Sequence, residues 1–117
     1  MSEFKVCINP FEDPTKRVSI YAEGRYQREY PKGAIVKAEP GSIGIFVFAF
    51  RKDAENFVRV HRGIIIRVLG IGIPCSPKMI SMGQAEADLD QWYSYDYALN
   101  TFAPEGTIAF EAVKVLE

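Results

Sequence analysis

Histidine, tryptophan and cysteine are scarce in this chain of 117 residues, which carries one, one and two of them respectively. The lone His61 excludes every mechanism that needs two imidazoles, His-x-x-x-His metal binding among them. Cys7 and Cys75 stand far apart with no CxxC spacing, so a structural zinc site is not expected, nor is a disulfide in a reducing compartment. Two free, partly buried thiols are the expectation. Long hydrophobic runs are also missing, since no apolar stretch approaches the roughly 18 residues that a membrane span needs. The opening MSEFKVCINP lacks the basic start and apolar core of a signal peptide. A cytoplasmic protein with no membrane association is therefore expected. No metal-ligand spacing is found, and the glycines of Gly70-Ile71-Gly72 do not form a phosphate loop, because Pro74 follows where a helix should begin. No metal and no cofactor are expected.

What the chain does contain is a stretch from Gly44 to Ile73, GIFVFAFRKDAENFVRVHRGIIIRVLGIGI, that writes strand, helix and strand in succession. Ile45 to Phe50 is a continuous apolar run rich in aromatic residues, the pattern of a central strand buried on both faces. Between Asp53 and Arg62 the period changes: Ala54, Phe57, Val58 and His61 recur at helical spacing while charged residues take the other faces. Asp53 and Glu55 at the start and Arg59 and Arg62 at the end suit the helix dipole, and Gly63 is placed to end the helix in the left-handed conformation. Ile64 to Leu69 reads as a second, mostly buried strand, parallel to the first and joined to it by a crossover.

The flanks are strand-like. Phe4 to Ile8 and Arg17 to Tyr21 alternate, and short, partly exposed strands fit Arg25 to Tyr30 and Ala34 to Ala38 between glycine and proline turns. Pro74 and Pro77 end the strand before them and open an irregular stretch, a second helix is compatible with residues 84–99, and Thr107 to Leu116 reads as a final strand. The predicted fold is α+β, a single compact domain spanning 1–117. Its mixed sheet is built on the βαβ unit at 44–70, with a β-rich N-terminal third.

Charge is distributed unevenly, with thirteen Lys or Arg against eight Asp or Glu in residues 1–78 and one Lys against seven acids afterwards. Arg51, Arg59, Arg62 and Arg67 are the candidates for a basic face suited to nucleic acid. The acidic residues Glu86, Asp88, Asp90 and Asp96 offer an internal complement to that face, which makes nucleic acid the less favoured partner. The densest group of binding-type residues is Trp92, Tyr93, Tyr95 and the adjacent Asp96, rings that either anchor a partner or complete the core. Arg25 and Tyr26 form a second candidate contact. His61 lies on the apolar helix face, where a structural histidine is favoured over a lone acid or base, and nothing in the sequence lowers the pKa of Cys75.

The segments GIFVFAFRKDAENF and APEGTIAFEAVKVLE together resemble a family of small phage and prophage domains in which an apolar strand precedes a DA-containing helix and a P-x-G-T turn precedes the last strand. That resemblance brings no established activity. The strand, alanine-bearing helix and IIIRVLGIG strand are also similar to the middle of ADP-ribosyltransferase domains, which implies NAD as ligand and Glu105 or Glu111 as the acid that orients the ribose. The chain lacks the N-terminal His-Gly-Thr-type motif of those enzymes. A noncatalytic protein-binding or accessory module is the leading expectation, with a divergent NAD-binding transferase and a nucleic-acid-binding accessory protein as alternatives.

Overall fold

The computed structural model describes residues 2–20, 24–76 and 106–117. In chain order the elements are β1 (Glu3–Ile8), β2 (Val18–Ser19), a 3-10 turn (Gly24–Tyr26), β3 (Ile35–Lys37), β4 (Ile45–Phe48), α1 (Arg51–His61), β5 (Ile64–Ile71), β6 (Thr107–Phe110) and β7 (Ala112–Val115). These make an α+β fold of one α-helix on a seven-stranded sheet of order β3-β7-β5-β1-β4-β6, with β2 paired to β1. Among the described residues no helix is long and apolar enough to cross a membrane. The expected helix at 84–99 lies outside the described residues.

The central unit forms as its periodicity predicts, with one difference. β4 and β5 run parallel to each other, but β1 lies between them and pairs antiparallel with both, Phe4 facing Phe48 on one side and Arg67 on the other. The crossover is thus a split β-α-β unit, and every strand pairing described is antiparallel, where a mixed sheet was expected. The intercalated β1 satisfies the inner edges of both strands, which leaves them no need to pair with each other.

Alternation along β1 builds two apolar clusters. Phe4 and Val6 face α1 and pack with Phe48, Ala54, Phe57, Val58 and Ile65, the ring of Phe57 lying 5.4 Å from that of Phe48. The helix buries the predicted face. On the other side Cys7 joins Ile45, Val47, Ile66, Val68, Phe110, Val113, Val115 and Tyr30 in the main core. Two expectations of full burial fail: Phe50 is 68% exposed ahead of α1, and in β5 Leu69 is exposed on the outer face, which α1 covers only in part, while Ile64 is exposed at the strand's start on the inner face.

The final strand is broken. Residues 107–115 run as one segment that bends at Glu111, so that β6 pairs with β4 and β7 pairs with β5 on the opposite side of the sheet. One segment joining both sides closes the sheet on itself in a barrel-like wrap around the main core. Phe110, at the bend, is buried with its ring against Gly70, where an added Cβ would sit 2.4 Å from ring carbons. The helix ends with Arg62, at φ 65, donating its N–H to Val58 O; Gly63 follows at φ 121 with no room for a Cβ beside Val6 and Cys7. The left-handed turn predicted for Gly63 is therefore shared with Arg62. Of the expected strands in the N-terminal third, Arg25 to Tyr30 is instead the 3-10 turn and a bridge from Glu29 to Val18.

Candidate functional site

The same alternation that sends Phe4 and Val6 toward α1 sends Lys5 inward with Cys7. Lys5 is 8% exposed, and its Nζ donates to Phe46 O at 2.8 Å and lies 5.3 Å from the centre of the Tyr30 ring. No carboxylate stands within ion-pair distance of it among the described residues. Beside the ammonium is a cavity of about 20 Å³ lined by Ser19, Tyr26, Arg28, Tyr30 and Glu39 among others. Tyr30, expected on an exposed strand, is 1% exposed, and its hydroxyl lies 3.4 Å from Ser19 Oγ.

Arg28 holds the wall of this cavity. Its Nη2 donates to Glu39 Oε2 at 3.0 Å, its Nη1 to Gln27 O at 2.9 Å and to Arg25 O, and its Nε to Lys37 O at 2.8 Å. Only the fixed fork of a guanidinium reaches so many acceptors at once. Tyr26 stands at the rim of the Lys5 cavity as one of its lining residues, and Arg25, outside that lining, stands 4.0 Å from Glu39 and stacks on Tyr26 at 5.1 Å. Neighbouring this rim is an open groove bordered by Ile35, Lys37, Glu39, Ile73 and Glu111, which places Glu111 at the same end of the molecule as Tyr26.

Arg28 also faces outward onto β3. The bonds Val115 N–H to Ala34 O and Ala38 N–H to Glu111 O set the parity of the β3–β7 ladder, so Val36 bonds to β7 while the N–H and C=O of Ile35 and Lys37 point away. Lys37 O accepts from Arg28, and β3 has no strand neighbour on that side among the described residues. A groove walled by Arg28, Glu29 and Pro31 runs along this edge. Ile35 is 60% exposed, and Lys37 and Lys114 are exposed beside it.

The remaining candidates are scattered. Arg51 pairs with Glu55 at 3.8 Å and lies over the Phe4 ring, Arg59 and Arg62 project at the far end of α1, and Arg67 pairs with Glu117 at 3.4 Å. Arg51 and Arg67 both neighbour Phe4, the first over its ring and the second paired with it across the strands. His61 stacks on Phe57 with ring centres 4.4 Å apart. Both thiols are free, Cys7 fully buried and Cys75 partly so. Burial pushes the Cys7 thiol up to about 11 despite the opposing pull of Lys5 and Arg17, which makes it a core residue and not a nucleophile. Cys75 exchanges two backbone hydrogen bonds with Ala109, at 2.8 and 2.7 Å. Trp92, Tyr93, Tyr95, Asp96 and Glu105, and the acidic segment from Glu86 to Asp96, lie outside the described residues. No family model matches this chain, and no curated protein or solved structure shows significant similarity to it.

Sequence reasoning missed Lys5 and Arg28, although it offered an exposed edge strand in the N-terminal region, which β3 is. A lysine between two apolar strand residues reads as solvent-facing, and it is the closure of the sheet by the bent 107–115 segment that turns its face inward.

Proposed function

We propose that this chain is a noncatalytic binding module that takes an extended, acidic polypeptide segment along the free edge of β3. The observation that carries the reading is that, among the described residues, β3 ends the sheet with the backbone groups of Ile35 and the N–H of Lys37 turned outward over a groove. Unpaired strand groups are a template for strand addition, in which main-chain bonds supply affinity and alternate side chains supply specificity. Here Ile35 and Lys37 share one face of the edge strand, with Lys114 beside Ile35 one strand further in, so the preferred segment places an apolar and an acidic residue two apart on that face. Edges of this kind are short in folded domains because long ones aggregate, and three residues suffice only if the partner gains side-chain contacts as well.

The test selects binders from a displayed library of extended peptides against the full chain and measures their affinity for wild type and Ile35→Pro. Proline at 35 removes an outward N–H and leaves the Val36–Val113 bonds to β7 intact. The expected result is enrichment of acidic-apolar peptides whose binding weakens at least about tenfold in Ile35→Pro, the loss of roughly one main-chain hydrogen bond with its steric companion, and weakens further with salt. Absence of enrichment, or binders indifferent to Ile35→Pro, would overturn the proposal.

A further inference from the structure

Lys5 presents a problem of charge. A buried ammonium is expensive unless it is paired and fully hydrogen-bonded. Lys5 is 92% buried, being 8% exposed, and of its three N–H donors one is engaged by Phe46 O. The Tyr30 ring face adds attraction without accepting a conventional hydrogen bond. The acid that lines the same cavity, Glu39, is committed to Arg28 at 3.0 Å and approached by Arg25 at 4.0 Å. Among the described residues the cavity is therefore lined by two cations, Lys5 and Arg28, and one carboxylate, and Lys5 is the more buried of the two cations.

The cavity beside the ammonium measures about 20 Å³, room for one oxygen-sized atom. Ser19 and Tyr30, whose hydroxyl oxygens lie 3.4 Å apart, line the same cavity; Ser19 Oγ accepts the backbone N–H of Arg28 at 3.1 Å and lies 3.4 Å from Arg28 O, which leaves the Tyr30 hydroxyl as the rotatable donor on the wall. We infer that this cavity is a carboxylate-binding site: one carboxylate oxygen enters beside Lys5 and the Tyr30 hydroxyl, and the second stays outward at the wall formed by Tyr26 and Arg28. A planar monoanion fits these limits. A tetrahedral phosphate, with three further oxygens around its centre, fits a space of about 20 Å³ less well. The inference is independent of strand addition at β3, because it concerns the inner face of β1 and not the edge.

The test titrates sodium acetate into the ¹⁵N-labelled protein against sodium chloride and inorganic phosphate at equal ionic strength, following amide shifts and the melting temperature. Saturable, acetate-specific shifts at Lys5, Ser19, Tyr30 and Phe46, with a rise in melting temperature, are expected. In Lys5→Met, which keeps the length of the stem, the apparent affinity for acetate should drop at least about tenfold, as expected for loss of a charge-assisted hydrogen bond. If that variant does not fold, the location of the wild-type shifts decides the matter. Shifts identical in acetate and chloride would overturn the site as one that holds water only, and phosphate matching acetate would overturn the carboxylate assignment. A peptide with a free C-terminal carboxylate and its amidated counterpart separate the two sources. Tighter binding of the free-acid peptide than of acetate identifies a polypeptide carboxylate, and equal binding identifies a small free acid.

Discussion

Replacing Gly70 by alanine is predicted to destabilise the fold, against the usual direction of such a change in a strand. Gly70 is not among the glycines at positive φ, so alanine suits its backbone and would by itself gain about 0.5–1 kcal/mol by restricting the unfolded chain. The obstacle is the Phe110 ring, with three of its carbons within 2.5 Å of the position a Cβ would occupy. Phe110 is 6% exposed at the bend that closes the sheet, and Gly44 packs against its backbone, so the ring cannot withdraw without disturbing the closure. Overpacking of this kind costs about 1–3 kcal/mol, which exceeds the gain. Phe110→Ala alone should cost about 3–5 kcal/mol as a buried ring is lost. In the Phe110→Ala background the obstacle is gone, and Gly70→Ala should become neutral or slightly stabilising. The cycle therefore predicts a coupling of about 1–3 kcal/mol between the two sites. Urea unfolding of the four proteins with an unchanged slope measures it. Additive effects, or a wild-type background in which Gly70→Ala is stabilising, would refute the closure built on this contact.

Two further predictions concern the interior. Cys75 should react with a thiol reagent in the native state and Cys7 only after unfolding; and because folding raises the Cys7 pKa from 9.0 to about 11, its contribution is fully present below pH 9 and is lost as pH rises through 11, a decline of roughly 2–3 kcal/mol absent from Cys7→Ala. Urea titrations from pH 8 to 11 compare the two proteins. Arg28→Lys should lower stability by on the order of 1–3 kcal/mol, because an ammonium cannot span Glu39, Lys37 O and the Arg25–Gln27 turn together. Its amide spectrum should change around 25–28 and 37–39 and not in α1, and equal stability of the two proteins would remove Arg28 from its structural role.

How much of this was legible in the sequence depends on whether a feature is local. The helix face of Ala54, Phe57, Val58 and His61 and the strands on either side follow from a change of period within consecutive residues. The insertion of β1 between β4 and β5 does not, since periodicity carries no register and Phe4 meets Arg67 across most of the chain. The same gap explains the site. Alternation places Lys5 opposite Phe4 and Val6, but which face becomes interior is decided by the bent 107–115 segment that closes the sheet over Lys5's side. The break at Glu111 has no period signal, because both halves have strand composition. Arg25 and Tyr26 stood out in the sequence as polar contact residues; Tyr26 lines the cavity, while Arg25 reaches it only through Tyr26 and Glu39.

Amide hydrogen exchange of the protein with and without a selected acidic-apolar peptide tests strand addition at β3 most directly. The account predicts that the amides of Ile35 and Lys37 become protected on binding, while that of Val36, already bonded to β7, changes little. Binding without protection of Ile35 and Lys37, or protection centred on another element, would contradict it.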